Sequence, residues 1–370
     1  MAARAARPRY HRRRVAKRIV VCCDGAWGVE EARSTGQRAQ TNVFHIARAI
    51  SPRDQAGMPQ VVFYENKQSL DEVDVLANNV PGGLSASILA AYDSIVDQFQ
   101  PGDELFLFGF SRGAYVARST VGLIRTCGVL RSQHRARLAE AYSLYRRRDD
   151  AAAPSGPVAQ RFREAYAWDA DGPRIRFIGV WETVGALGIP VGVPWLPVSM
   201  LQLVSRRWAF HDLRLSSAID NAYQALAIDE RRAPYAPALW EQQPGTGDQV
   251  LEQVWFCGTH ANVGGGYRDA GLASISLLWM KDKATQCGLA FDEDSFRQQN
   301  VSPDPLGTVR DSRSGAFGLL AAPWRPIGTA PARHESIHPS VLARMQARPQ
   351  YRPPNLLRYL RSQPTAAASA

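Results

Sequence analysis

Ser111 is the residue whose place in the sequence most directly suggests chemistry. It lies in the stretch LFLFGFSRGAY, residues 105–115, between Gly109 and Gly113 in a G-x-S-x-G pattern. This pattern is typical of a sharp turn from strand to helix that lifts a serine hydroxyl above a sheet, where it can attack an acyl carbonyl. The pattern also arises by chance, so the alternative is a structural serine. The apolar run before Ser111 and the helix-forming run after it favour a nucleophile.

A serine nucleophile needs a base, and His260 is the best placed of the seven histidines. It ends the apolar run LEQVWFCGTH, residues 251–260, and is followed by ANVGGGYRD. Three consecutive glycines allow a close backbone approach and positive φ angles, which suits a catalytic loop. The alternative is a buried, hydrogen-bonded histidine with no catalytic role.

The acid that orients such a histidine is expected at a strand end between the serine and the histidine. Glu182 is the best placed, at the tip of the apolar run RIRFIGVWE, residues 174–182. Asp229 in ALAIDERRAPY is the alternative. Glu182 could also be an ordinary carboxylate at the end of a strand.

Acyl transfer further requires backbone amides that hold the charge developing on the carbonyl oxygen. The amide of Arg112, directly after the serine, is one predicted donor to this oxyanion hole. The second is expected from the turn CCDGAWG, through the amide of Gly25 or Ala26. Asp24 would support this turn by side-chain hydrogen bonds.

An apolar segment, residues 189–210, is a candidate for contact with an acyl chain. One interpretation is an apolar wall or lid, and ordinary core packing with a prolyl loop is the other. The side chains predicted to bind substrate in the first case are Trp195, Leu196, Met200 and Leu201.

The cysteine and glycine patterns predict no metal and no cofactor. Five cysteines show no C-x-x-C spacing, so we expect reduced thiols rather than a zinc cluster. The run NVGGGY is not followed by G-K-[ST], and the dinucleotide fingerprint is missing.

The candidate residues fall at the ends of short apolar runs that alternate with helical patterns. This alternation predicts an α/β fold, with a doubly wound, mostly parallel sheet of the α/β-hydrolase type and helices on both faces. Catalytic groups in such sheets lie at the carboxyl ends of the strands. The predicted strands are 18–25, 60–65, 104–111, 174–182 and 251–260, and the predicted helices are 41–50, 85–99, 112–128, 211–232 and 273–288.

The distribution of charge separates an N-terminal arm from the rest of the chain. The net charge is +10, but the first 18 residues carry eight Arg or Lys and no acidic residue. Such an arm is usually a solvated tail, and the alternatives are contact with acidic lipid or nucleic acid and a mitochondrial-type presequence. We expect no nucleic-acid partner and keep peripheral membrane contact, through the arm and residues 189–210, as the alternative to a solvated tail. We expect a disordered basic arm (1–17), one domain (18–345) with a motif core (18–290) and a C-terminal extension (291–361), and a disordered tail (362–370).

Location is predicted from what the sequence lacks. No secretory signal follows the arm, and no run approaches the ~18 apolar residues that span a bilayer. We therefore expect a cytoplasmic protein, with export through a secretion apparatus as the alternative.

Six stretches between residues 18 and 290 together resemble the α/β-hydrolase domain of the type VI secretion phospholipase effectors. They are CCDGAW, TNV (41–43), PGDELFLFGFSRGAYVAR, VWETVGALG, ALAIDERRAPYAPALW and VWFCGTHANVGGGY. The resemblance implies a Ser-acid-His triad of the lipase type, with Ser111 as nucleophile and His260 as base. Family members usually have aspartate where this chain has Glu182, and often aspartate where it has Asn262.

The predicted function is therefore a serine hydrolase that cleaves carboxylic esters of lipids or phospholipids. The alternative is a catalytically decayed hydrolase fold that serves as a binding or accessory module, and a third possibility is cleavage of another acyl bond.

Overall fold

The computed structural model describes residues 15–25, 39–66, 83–169, 172–183, 213–313 and 322–363. Within them lies a seven-stranded sheet whose neighbouring strands are all parallel. The strand order is β2-β1-β3-β4-β5-β6-β7. The strands are β1 (Arg18–Cys23), β2 (Gln60–Glu65), β3 (Glu104–Phe110), β4 (Ile175–Trp181), β5 (Asn221–Ala227), β6 (Val250–Phe256) and β7 (Glu335–Ile337).

Helices cover both faces of this sheet, because its central strands are apolar and buried along nearly their whole length. The helices are α1 (Asn42–Ala49), α2 (Leu84–Gln98), α3 (Arg112–Cys127), α4 (Leu138–Arg146), α5 (Pro157–Tyr166), α6 (His260–Gly264), α7 (Gly271–Gln286), α8 (Glu293–Gln298), α9 (Pro339–Ala347) and α10 (Pro354–Ser362). One apolar core contains residues of α2, α3, α4 and α5, and the core on the opposite face contains residues of α1, α7, α8, α9 and α10.

The doubly wound α/β fold predicted from the sequence is confirmed, and each of the five predicted strands is present. The helix predicted over 211–232 is wrong, because residues 221–227 form strand β5 between β4 and β6. Its sequence NAYQALA favours a helix locally, but its buried residues, among them three alanines, fit a strand that is covered on both faces. Strand β7 was not predicted, since three residues are too short to produce a periodic signal.

Both ends of the described chain are attached to the domain. Lys17 is the last residue of the predicted arm, and its Nζ donates a 2.6 Å hydrogen bond to buried Asp103. In the C-terminal extension, Val341 of α9 and Leu356 of α10 are completely buried against the sheet. Residues after 290 therefore contribute to the core. Among the described residues, no helix combines the length and apolar character needed to cross a bilayer.

Candidate active site

Ser111 lies in the sharp turn between β3 and α3. Its backbone adopts φ 56° and ψ −117°, a conformation that costs a non-glycine residue free energy and that commonly marks functional turns. Its amide donates a 3.1 Å hydrogen bond to the carbonyl of Trp181 at the end of β4. The serine is 1% exposed, so the turn places it in a buried position between two strand ends.

Gly109 allows β3 and α3 to approach closely, and Gly113 allows α3 to approach the end of β1. A Cβ atom at Gly109 would lie 2.6 Å from the Cα of Ala114, and one at Gly113 would lie 2.0 Å from the carbonyl oxygen of Cys23. Both distances are impossible for real side chains. The G-x-S-x-G pattern is therefore a steric requirement of this turn.

Gly25 brings the end of the β1 strand against the serine. A Cβ at Gly25 would lie 2.6 Å from the Phe110 carbonyl oxygen, 3.2 Å from Ser111 Cβ and 3.5 Å from the amide nitrogen of Arg112. The two amides predicted to form an oxyanion hole, those of Gly25 and Arg112, thus belong to adjoining segments. Ala26, the alternative donor, lies outside the described residues.

Asp24 is held by two side chains beside this turn. Thr41 Oγ1 and the Tyr64 hydroxyl each donate a 2.6 Å hydrogen bond to its Oδ2. Burial raises the pKa of Asp24 from 3.8 to about 6, although these hydrogen bonds oppose the rise. The structure therefore ties Asp24 to neighbouring segments, at the position where the sequence predicted a supporting role.

His260 begins α6, after strand β6, and its ring lies against the serine turn. The ring centroid is 4.8 Å from that of Phe110, the residue before Ser111, and 5.0 Å from that of Tyr235. Nδ1 lies 2.9 Å from Oε2 of Glu182. Because a carboxylate only accepts hydrogen bonds, Nδ1 carries the proton and Nε2 bears a lone pair.

His260 Nε2 is buried and has no hydrogen-bond partner among the described residues, Ser111 Oγ included. Catalytic hydrogen bonds are often long without substrate and tighten when it binds. Burial lowers the pKa of His260 below 6.5, although the neighbouring Glu182 opposes this. The ring is therefore neutral near pH 7 and has an unused acceptor.

The loop that carries His260 is shaped by its own sequence. Thr259 and Asn262 form a reciprocal capping box at the start of α6. A Cβ at Gly264 would lie 2.0 Å from the Phe110 ring, and Gly265 has a φ of 87°. The glycine run allows the helix to end abruptly against Phe110, which is why the imidazole can lie so close to the serine turn.

Of the two candidate acids, only Glu182 contacts the histidine ring. Glu182 follows β4 with a φ of 50° and is 1% exposed. Asp229 accepts hydrogen bonds from the Gly258 amide at 2.7 Å and from the Tyr351 hydroxyl at 2.8 Å. Burial raises the pKa of Asp229 to about 6. Asp229 thus fixes the loop before His260 rather than its ring.

Three further residues of this site were not predicted: Arg325, Glu230 and Tyr235. Arg325 donates to both carboxylate oxygens of Glu182, with Nη1–Oε1 at 2.8 Å and Nη2–Oε2 at 3.0 Å. Glu230 accepts a 3.2 Å hydrogen bond from the His260 amide and is paired with Arg232 at 2.9 Å. The segment ALAIDERRAPY contains Glu230 and Tyr235 and could have indicated them, whereas Arg325 has no local signal.

The ionisation of both carboxylates is controlled by arginines. Burial would raise the pKa of Glu182, but the charge of Arg325 and the contact with His260 outweigh it and lower the pKa. Burial likewise opposes ionisation of Glu230, yet Arg232 lowers its pKa to about 2. Both groups are therefore carboxylates at neutral pH.

Two predicted features cannot be placed in this geometry. Trp195, Leu196, Met200 and Leu201 lie outside the described residues, as does most of the basic arm. Among the described residues, no three His, Cys, Asp or Glu side chains are grouped so as to hold a metal ion.

Comparisons with known proteins point to one family. The sequence profile described as "T6SS, Phospholipase effector Tle1-like, catalytic domain" matches residues 17–283. An uncharacterized protein of Saccharomyces cerevisiae is 22% identical over 247 residues, which are 62% of this chain and 33% of that protein. The chain thus spans about a third of this curated relative.

Solved structures that this chain partly resembles include three bacterial proteins. An uncharacterized protein from Pseudomonas aeruginosa has a TM-score of 0.42 at 15% identity, over 78% of this chain and 49% of that one. The carboxylesterase Cest-2923 from Lactobacillus plantarum has a TM-score of 0.36 at 15% identity, over 80% and 90% of the two chains. The esterase Est2 from Thermogutta terrifontis has a TM-score of 0.36 at 12% identity, over 74% and 85%.

Proposed function

Because this chain belongs to the family of Tle1-like phospholipase effector catalytic domains, we propose that it hydrolyses carboxylic esters with Ser111 as nucleophile, His260 as base and Glu182 as acid. The observation that supports this most directly is the contact between His260 Nδ1 and Glu182 at 2.9 Å, which leaves Nε2 unpartnered beside the serine turn.

The proposed reaction proceeds in two acyl transfers. His260 Nε2 takes the hydroxyl proton of Ser111 while Oγ attacks the ester carbonyl carbon. The resulting oxyanion accepts hydrogen bonds from the amides of Arg112 and Gly25, and the N-terminus of α3 adds a favourable dipole. His260 then gives its proton to the departing alkoxide. Water, deprotonated in the same way, attacks the acyl-enzyme and releases the carboxylic acid and Ser111.

Glu182 acts through His260 in this mechanism. By accepting the Nδ1 proton as a hydrogen bond, it holds the tautomer in which Nε2 is the acceptor, and it stabilises the imidazolium once Nε2 is protonated. The low pKa of His260 keeps the ring neutral before reaction. We therefore expect kcat/KM to rise with pH through a midpoint below about 6.5 and to be level at neutral pH.

The substrate class we propose is a lipid or phospholipid acyl ester, which is supported by the family description. The basic arm and residues 189–210 would make peripheral contact with an anionic lipid surface. Because the same family description refers to a type VI secretion effector, export through such an apparatus is part of the proposal.

An active-site probe tests the proposal. A fluorophosphonate should label the wild type but not Ser111→Ala. The control is Ser143→Ala, which removes an exposed serine of α4 and should be labelled like the wild type. Release of fatty acid from phosphatidylcholine vesicles, with and without phosphatidylglycerol, then tests the lipid assignment. Labelling of Ser111→Ala equal to the wild type would exclude this nucleophile, and labelling without fatty-acid release would exclude the phospholipid substrate while retaining the hydrolase.

A further inference from the structure

Arg325 meets the proposed triad acid with both arms of its guanidinium. Nη1 also donates to the Ala227 carbonyl at 3.0 Å, and Nη2 donates to the carbonyl of Tyr235. The side chain is 5% exposed. Such bidentate contacts fix both the position and the plane of a carboxylate. The arginine is itself fixed from the C-terminal helix, because Asn355 of α10 donates to the Arg325 carbonyl at 3.1 Å.

This arginine comes from outside the region that defines the family. The profile match ends at residue 283, so Arg325 lies beyond it. In the sequence, Arg325 is 143 residues from Glu182. The helices α9 and α10, which follow Arg325, are packed into the same core as β6. The folded C-terminal segment is therefore positioned to act on the proposed active site.

Each carboxylate oxygen of Glu182 accepts two hydrogen bonds, and one of the four comes from the ring of His260. Oε1 accepts from Arg325 Nη1 and from the Ala227 amide at 2.7 Å, and Oε2 accepts from Arg325 Nη2 and His260 Nδ1. A carboxylate rotated about its axis would lose at least one of these contacts. The orientation that meets His260 is thus the one that Arg325 also requires.

We propose that Arg325 is a positioning residue for the catalytic acid, and that the segment after residue 283 completes the active site by supplying it. The guanidinium fixes Glu182 against His260 and balances its charge, so that His260 stays neutral at the working pH. This inference rests on the proposed hydrolase function and adds to it the origin of the acid's orientation and charge balance.

The electrostatic consequence has a definite sign. Among the described residues, the charged and titratable groups that act on the pair or contact it are Arg325, Glu230, Arg232 and Tyr235. Loss of the positive charge of Arg325 leaves a net negative charge beside His260, so the Glu182–His260 pair binds a proton more tightly. An opposite charge within ~4–6 Å shifts a carboxyl pKa by about 1–3 units. The acidic limb of the kcat/KM profile should therefore move to higher pH.

The test compares Arg325→Met, Arg325→Lys and the control Arg333→Met in the full chain. Arg333 also lies in the segment after residue 283 and forms a partly exposed ion pair with Glu241. Such pairs contribute little to stability. In Arg325→Met we expect the midpoint of the acidic limb of the kcat/KM profile to move to higher pH by about one unit or more. Arg325→Lys keeps the charge but loses the bidentate contact. Its midpoint should lie within about half a pH unit of the wild type, while kcat stays reduced. Arg333→Met should match the wild type.

A second measurement needs no turnover. Carbon-13 labelling of the histidine rings allows the titration of His260 to be followed by NMR, with His260→Asn to assign its signal. A higher titration midpoint in Arg325→Met than in the wild type supports the proposal even where no ester is hydrolysed. Equal midpoints in two folded proteins, or an unchanged limb in Arg325→Met, would overturn it. If Arg325→Met does not fold, the comparison of Arg325→Lys with the wild type decides: a wild-type profile and kcat there refute the positioning role.

Discussion

Replacing Glu182 by glutamine should lower kcat/KM for ester hydrolysis by about 10⁴-fold, the usual effect of neutralising a triad acid. That loss corresponds to about 5.5 kcal/mol of transition-state stabilisation. Glutamine has nearly the same shape, so the change removes charge and acceptor capacity rather than volume. Since both oxygens of Glu182 accept from two donors each, the new NH₂ group must face a donor whichever way the amide is turned.

The same substitution should destabilise the fold. Arg325 would remain buried at 5% exposure without its carboxylate, and breaking a buried pair typically costs about 3–5 kcal/mol. Activity must therefore be compared per folded molecule. Unfolding in urea, monitored by circular dichroism, gives the free energy of unfolding and shows how much protein is folded under the assay conditions.

Asp229→Asn provides the matched comparison, because Asp229 is a half-buried carboxyl after strand β5 that contacts Gly258 and Tyr351 instead of His260. Its kcat/KM on a short-chain nitrophenyl ester should stay within about tenfold of the wild type, since one hydrogen-bond change costs about 1 kcal/mol. The opposite pattern, with Asp229→Asn inactive and Glu182→Gln active, would refute the assignment of the acid.

Three further changes test other parts of the structure. Gly25→Ala should lower kcat by about 10²-fold by displacing one oxyanion donor, because its Cβ would lie 2.6 Å from the Phe110 carbonyl oxygen; unchanged single-turnover acylation would contradict that role. Gly264→Ala, whose Cβ would lie 2.0 Å from the Phe110 ring, should cost about 1–3 kcal/mol by overpacking, measured as a lower urea midpoint. Burial raises the pKa of Asp229 from 3.8 to about 6, so its stabilising contribution is complete below pH 3.8 and is lost as the pH rises through 6. Asp229→Asn should therefore flatten the fall in unfolding free energy between pH 4 and 7, and an unaltered slope would show that folding does not raise the pKa of Asp229.

The parts of the fold and site that could be predicted from the sequence are those with a local cause. The apolar runs of β1 and β3 indicate buried strands because both faces must be covered. Gly109 indicates the serine turn because its missing side chain makes room for Ala114 within that turn. Local signals of this kind require no knowledge of distant contacts.

The features that were missed depend on contacts between distant residues. Strand β5 has a helix-forming composition and becomes a strand only because β4 and β6 flank it. Arg325 is one of many arginines, and nothing near it in the sequence distinguishes it from those at the surface. Its role follows only once the C-terminal segment is folded against the sheet.

The charges around His260 account for why these distant residues are needed. Glu182 and Glu230 are carboxylates, and Arg325 and Arg232 balance them, so the four buried groups sum to zero around a neutral imidazole. In the proposed reaction, transfer of the Ser111 proton to His260 creates an imidazolium and an oxyanion together, which changes the distribution of charge but not its total. A buried site tolerates such a dipole far better than a net charge. An acid without its arginine would favour the imidazolium before substrate is bound, and the base would be lost at the pH where it must act.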